Sequence, residues 1–233
     1  MNNIFSYASL KSRQNTFIIA EPSGNHSGNI QKLYKLMLEV KKTNADAIKI
    51  QLYDPESITI NSIEKDFLIK KSNTWSSFKN LYMLYKKAHT PIAWADDIFR
   101  YAKKINLPIF SSVFDLKALN KLENLGCCAY KIASNEITDI PLIKKTLLTN
   151  KIVFISTGMC TNKDIYTIYK HTPKKFHKNI IWMNCTSSYP TPYNEVNLNQ
   201  INFFKKFNSI IGLSDHTEGY HVPISAVTLG YRV

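Results

Sequence analysis

Seven short apolar runs recur along the chain, at residues 16–20, 47–52, 108–112, 128–132, 152–156, 180–185 and 210–213, and they alternate with segments of helical periodicity. The helical segments cover 30–42, 92–104, 116–125, 140–148, 163–169, 198–207 and 222–229. Apolar runs of this length read as buried strands, and apolar residues spaced at three and four read as helices with one buried face. A strand pairs with a parallel neighbour only after a crossover of about a dozen residues, so the alternation predicts βαβ units around a parallel sheet. One longer stretch, 53–90, interrupts the rhythm after the second run and is expected to carry its own helix at 77–87.

Composition narrows the class. The 233 residues are 44% hydrophobic and 20% charged, which fits one large globular domain. The apolar runs fall far short of the roughly 18 residues a membrane span needs. Residues 1–15 lack the apolar core of a signal peptide, so a cytoplasmic protein without membrane attachment is expected. The four cysteines, at 127, 128, 160 and 185, form no C-x-x-C pair and are read as reduced. The net charge of +13 raises the question of nucleic acid. The lysines, however, come as scattered pairs such as Lys41-Lys42, Lys103-Lys104 and Lys174-Lys175, the pattern of solvated helix faces, and no nucleic-acid partner is expected.

The polar residues are more telling, because nearly every apolar run ends in residues that a core would not choose. The first runs into Glu21-Pro22-Ser23-Gly24-Asn25-His26, the second holds Lys49 and Gln51, and the third ends at Ser111-Ser112. The fourth holds Lys131 and leads to Ser134-Asn135-Glu136, and the fifth ends Ser156-Thr157-Gly158. The sixth leads to Thr186-Ser187-Ser188-Tyr189, and the seventh to Ser214-Asp215-His216-Thr217. Polar groups at the C-terminal ends of parallel strands mark the active face of a (β/α)8 barrel, and lysines with hydroxyls suit an anionic substrate. The alternative, a dinucleotide-binding sheet, lacks a G-x-G-x-x-G after any run.

Each candidate also has a plainer reading. Lys49 and Lys131 lie inside apolar runs where an unpaired ammonium is costly, so they either bind an anion or pair with carboxylates such as Glu21 and Glu136. Those two glutamates are in turn candidate general acid or base groups. His216 is either a metal ligand or a hydrogen-bonded structural histidine. His26 belongs to a loop that Asn25 could hold. His171 and His177 fall in a lysine-rich stretch expected to face solvent, and His89 and His221 mark helix boundaries.

Six segments taken together resemble the sialic acid synthase family. They are Ile18-Ile19-Ala20-Glu21 with Asn25-His26, Ala45 to Gln51, Tyr130-Lys131-Ile132-Ala133-Ser134, Ile155-Ser156-Thr157-Gly158-Met159, Cys185-Thr186-Ser187 with Tyr189-Pro190, and Gly212-Leu213-Ser214-Asp215-His216-Thr217. Tyr53, the stretch Leu84 to Pro91 with Trp94, and Phe110-Ser111-Ser112 with Phe114-Asp115 look more like the pseudaminic acid branch than the N-acetylneuraminate or legionaminic acid branches. The resemblance implies a TIM barrel that condenses phosphoenolpyruvate with an N-acylated amino sugar, giving a nine-carbon 2-keto acid. It implies that Lys49, Ser112, Lys131, Ser134, Ser156, Ser187 and Ser214 hold phosphate and carboxylate, and that Gln51, Glu136 and Tyr189 face the sugar. It further implies that His216 binds Mn2+ or Mg2+.

Departures from the family pattern are Pro22-Ser23, Ser27 and Val113. The family continues with an eighth strand carrying a second metal histidine and with a C-terminal antifreeze-like domain that reaches into the partner's site of a homodimer. The expectation is therefore an incomplete barrel over 1–233 with seven of eight strands, poorly soluble and inactive alone. Two rival readings are a Schiff-base aldolase using Lys131 and a non-catalytic basic binding protein.

Overall fold

The computed structural model describes residues 4–71 and 75–233. Its strands are β1 (Ile19–Ala20), β2 (Ala47–Gln51), β3 (Ile109–Ser112), β4 (Ala129–Ile132), β5 (Ile152–Ser156), β6 (Ile180–Cys185) and β7 (Ile211–Ser214). Its helices are α1 (Tyr7–Ser12), α2 (Ile30–Lys42), α3 (Leu81–Ala88), α4 (Ala95–Lys104), α5 (Leu116–Asn124), α6 (Ile140–Leu147), α7 (Asn162–His171), α8 (Ile201–Phe204) and α9 (His221–Leu229). The described residues fall into two compact units, one within Ile19–Cys127 and one of residues 4–18 with Cys128–Val233. Both repeat the parallel strand–helix alternation of a (β/α)8 barrel, and together they supply seven of its strands.

In the Ile19–Cys127 unit, β2 pairs in parallel with β1 and with β3. Ile48 and Ile50 of β2 and Ile109 of β3 pack on Leu33 and Met37 of α2 and on Ile98 and Ala102 of α4. Successive strand residues face opposite ways, so burying Ile48 and Ile50 under the helices turns Lys49 and Gln51 to the other face. The register sets Gln51 beside Ser112 and Ile50 beside Ser111. Ser112 therefore shares the face of Lys49, whereas the Ser111 hydroxyl is spent on the Ile50 and Ser112 carbonyls and on the Leu52 amide. The insertion helix begins later than expected, at Leu81, because the buried Asn80 side chain caps it by accepting from the Met83 amide.

In the second unit β4, β5, β6 and β7 pair in sequence, all parallel. The register carries one face through Lys131, Phe154 and Ser156, Met183 and Cys185, and Gly212 and Ser214. The opposite face presents Trp182, stacked 6.4 Å from Phe204. The expected helix at 198–207 breaks into a 3-10 turn, Leu198–Gln200, and the short α8. The carbonyls of Asn197 and Leu198 also accept from Asn184 Nδ2 and the Tyr231 hydroxyl, each at 2.9 Å, which ties this turn to β6 and to the residue after α9. His177 is only partly exposed to solvent. Its ring lies 3.8 Å from that of Tyr169, and Nε2 meets the Tyr169 and Thr172 carbonyls at 3.2 and 2.9 Å.

Beyond α9, residues 231–233 hydrogen-bond to β7, with the Arg232 amide on the Ile211 carbonyl and the Leu213 amide on the Val233 carbonyl, both at 2.8 Å. On the other side the Phe17 amide donates to the Arg232 carbonyl at 2.8 Å. These three residues form no strand of their own. The N-terminal segment, for which the sequence predicts no helix, carries α1 and is pinned by Phe5, which is 2% exposed and meets Phe17 and Phe154 edge-on at 5.4 and 6.5 Å. Phe5→Ala is expected to lower unfolding free energy by about 3 kcal/mol. Chemical denaturation checks this, and a loss below about 1 kcal/mol contradicts the packing role.

Candidate active site

The Ile19–Cys127 unit gathers Glu21, Lys49, Gln51 and Ser112 at its strand ends. Lys49, only 5% exposed in its side chain, pairs with Glu21 Oε1, and Gln51 Nε2 donates to the same oxygen at 2.6 Å. The Ser112 hydroxyl lies 3.4 Å from the Lys49 ammonium. Of the two readings of Lys49, anion binding or pairing with a carboxylate, the structure shows the pair with Glu21, and Ser112 and Gln51 join it. Nearby in sequence, His26 is fully buried. Its Nδ1 accepts from the Gly28 amide and its Nε2 meets the Thr90 hydroxyl, both at 3.1 Å, so Thr90 and Gly28 rather than Asn25 hold it. Burial, with the nearby His89 and Lys32, pushes this imidazole below its ordinary pKa.

The second unit gathers a larger set. Lys131 is buried, yet it pairs with no carboxylate among the described residues. Its ammonium donates to Ser214 Oγ at 2.9 Å, so the plainer of its two readings, a pairing with Glu136, does not hold. Glu136 follows in the 3-10 turn after β4, and its Oε2 is buried without a hydrogen-bond partner. Burial pushes this carboxyl up to about 7. The Ser156 hydroxyl, at the end of β5, is likewise buried and unpartnered. Two orphaned polar groups at strand ends are unusual, since buried polar atoms nearly always find partners.

Ser134, Gly158, Cys185 and Ser187 pack tightly. The Gly158 amide donates to Ser134 Oγ at 3.1 Å, and Ser134 donates to Cys185 Sγ at 3.6 Å. A side chain at Gly158 would collide with Ser187 Oγ and stand 3.0 Å from both Cys185 Sγ and Ser134 Oγ. Tyr189 is half exposed, and its ring lies 4.3 Å from that of His216. The sequence reading treated Cys185 as an ordinary buried thiol. Burial does raise it, but the His216 ring, Ser134 and Lys131 outweigh that and leave the thiol below its ordinary pKa. By contrast, burial pushes Cys128 and Cys160 up to about 11 and about 12.

His216 Nδ1 lies 3.0 Å from the Thr186 carbonyl, which can only accept, so Nδ1 carries the proton and the neutral ring keeps its lone pair on Nε2. That is the tautomer of a metal-binding histidine held by an outer partner. Burial lowers this imidazole, but Cys185 and the Thr186 carbonyl more than compensate, so it ends above its ordinary pKa. The adjacent Asp215 is engaged by the Thr217 hydroxyl and amide. Among the described residues no three His, Cys, Asp or Glu side chains gather as a metal set, so the donors present fit one imidazole ligand and no more.

The two partners of the Lys49–Glu21 pair respond differently to substitution. Removing the Glu21 charge strands a buried ammonium, whereas removing Lys49 leaves a carboxylate that is partly exposed and still bonded to Gln51. Glu21→Gln is therefore expected to cost about 3 kcal/mol and Lys49→Met clearly less. Equal losses in denaturant titrations contradict this account of the pair.

Comparison with known proteins follows the same lines. The NeuB family model matches residues 36–233. The chain is 40% identical over 218 residues to pseudaminic acid synthase of Campylobacter jejuni, covering 93% of this chain and 63% of that protein. It is 33% identical over 221 residues to N,N'-diacetyllegionaminic acid synthase of the same species, covering 92% of this chain and 65% of the relative. The N-acetylneuraminic acid synthetase of Leptospira borgpetersenii, crystallised with citrate, superposes with a TM-score of 0.79 at 28% identity, covering 94% of this chain and 71% of that one. The chain thus spans under two thirds of the length of these two synthases, and no helix among its described residues is long and apolar enough to cross a membrane. By motif, fold and similarity, the chain belongs to the NeuB family.

Proposed function

We propose that this chain carries the phosphoenolpyruvate-binding part of a synthase that joins phosphoenolpyruvate to an N-acylated six-carbon amino sugar, with pseudaminic acid the favoured product. The observation that carries the reading is the β4–β7 cluster itself. A buried lysine without a carboxylate, beside an orphaned serine hydroxyl and a second serine it already contacts, is a preorganised receptor for an anion. The identity to pseudaminic acid synthase, higher than to the legionaminic acid enzyme, supports the choice of branch.

In the proposed reaction C3 of phosphoenolpyruvate attacks the sugar aldehyde, the aldehyde oxygen takes up a proton, water adds to C2, and phosphate leaves. The balance is one phosphoenolpyruvate, one sugar and one water in, one 2-keto acid and one phosphate out. Lys131, Ser156, Ser187 and Ser214 bind phosphate. Within the Ile19–Cys127 unit, Lys49 and Ser112 offer a cation and a hydroxyl to a carboxylate, Glu21 holds Lys49 in place and is the alternative acid or base, and Gln51 is that unit's candidate sugar contact. Tyr189 is the candidate sugar contact of the other unit. Glu136, with a pKa near neutrality, is suited to give a proton to the aldehyde oxygen and to receive one from the attacking water. His216 would hold Mn2+ or Mg2+ through Nε2, and such an ion when bound supplies Lewis acidity toward the aldehyde.

Two measurements test this. In the whole synthase, given phosphoenolpyruvate, Mn2+ and a panel of N-acylated six-carbon amino sugars, mass spectrometry is expected to find a nine-carbon 2-keto acid matched by released phosphate, and neither with Lys131→Met. A borohydride-trapped pyruvate adduct on Lys131 without a metal requirement would instead establish the Schiff-base route.

Glu136 gives a pH signature that needs no substrate. Its folded pKa lies above its unfolded one, so the folded state holds the extra proton and stability is lost as pH rises from about 4.5 through about 7. Glu136→Gln should match the wild type near pH 4 and exceed it near pH 8 by up to about 3 kcal/mol. A difference that does not change with pH rules out a desolvated carboxyl.

A further inference from the structure

Cys185 lies at the junction of groups carried by four consecutive strand ends. The chain of contacts runs from the Gly158 amide to Ser134 Oγ at 3.1 Å, from Ser134 to Cys185 Sγ at 3.6 Å, and from Cys185 Sγ to His216 Nδ1 at 3.8 Å. The proton directions are fixed from both ends. Ser134 Oγ accepts the Gly158 amide and so turns its own proton to the sulfur. His216 Nδ1 is protonated, because the Thr186 carbonyl beside it has no proton to give. Cys185 accepts the Ser134 proton, and the His216 Nδ1 proton, given first to the Thr186 carbonyl at 3.0 Å, meets the sulfur as a longer second arm at 3.8 Å. We propose that Cys185 is a positioning residue whose sulfur, as common acceptor, holds the Ser134 hydroxyl and the His216 ring in one fixed orientation.

Sulfur suits this position because it accepts at a longer distance than oxygen, whose hydrogen bonds fall near 2.8 Å. A serine oxygen at the same place would reach one donor and abandon the other. Gly158 completes the device, since any side chain there would stand between Ser134 and Cys185. The arrangement also revises the role of Ser134. Its proton is committed to sulfur, so it orients the site and leaves the direct anion contacts to Lys131, Ser156 and Ser214. With Nδ1 anchored by both the Thr186 carbonyl and Cys185, Nε2 points in one direction. With the carbonyl alone, a half-turn about χ2 puts Cδ2 where Nδ1 stood, takes Nδ1 away from the carbonyl and removes the preference for the Nδ1–H tautomer.

The inference rests on the synthase reading only for what Ser134 and His216 eventually touch, and its test separates the two. The ring nitrogens of His216 are read by long-range proton–nitrogen NMR on the ligand-free protein, in the wild type, Cys185→Ser, Cys185→Ala and Ser134→Ala, with thermal melting recorded alongside. The wild type and Ser134→Ala should show a single Nδ1–H tautomer, and both Cys185 variants a shifted or mixed one. Mn2+ affinity should fall about tenfold in Cys185→Ala, the lower end of what loss of an outer partner costs a metal site. A wild-type His216 tautomer in folded Cys185→Ser and Cys185→Ala overturns the proposal, as does a lowered melting temperature with the tautomer unchanged, because packing alone would then explain the residue. A protein that binds no phosphoenolpyruvate but shows the tautomer shift retains the positioning role and loses only the synthase reading.

Discussion

The 2.9 Å contact between Lys131 and Ser214 is the constraint that organises the larger unit. The two residues belong to β4 and β7, three strand spacings apart, which in a flat sheet is about 14 Å. A lysine side chain does not reach that far, so the contact exists only because the β4–β7 sheet curls toward the face they share. Register puts Ser156 and Cys185 on that same face, and the curl brings their ends together. The opposite face buries Trp182 against Phe204. Apolar packing outside and a cationic hydroxyl cluster inside are thus two results of one period-two pattern.

The electrostatics follow from how each ionisable group was removed from water. Lys49 has a carboxylate and so is structurally complete, whereas Lys131 has only a hydroxyl. Glu136 has lost water and gained nothing at Oε2, and its carboxyl rises to about 7. A buried lysine with a neutral partner and a glutamate that holds its proton near neutrality describe a place prepared for a charge that comes from outside.

Much of this was legible in the sequence because it depends on alternation and turn position. The β2 strand and the residues Lys49, Gln51 and Ser112 fall where the pattern put them, and so do Lys131 and Ser214. What escaped depends on contacts distant in sequence. The α1 segment looks polar, yet Phe5 is buried by Phe17 and Phe154, the latter about 150 residues away in the chain. The turn before α8 is tied down by Asn184 and Tyr231, contacts that no local propensity encodes. Cys185 was passed over because a cysteine without a partner motif reads as an inert core residue, and only the geometry shows two donors meeting at its sulfur.

The central claim is that the β4–β7 face is an anion receptor built on Lys131. Calorimetric titration of phosphoenolpyruvate into the wild type and Lys131→Met tests it without depending on turnover. The account predicts saturable binding that inorganic phosphate competes away, weakened at least about a hundredfold by the substitution. Equal affinity in the two proteins, or no binding by a folded wild type, would contradict it.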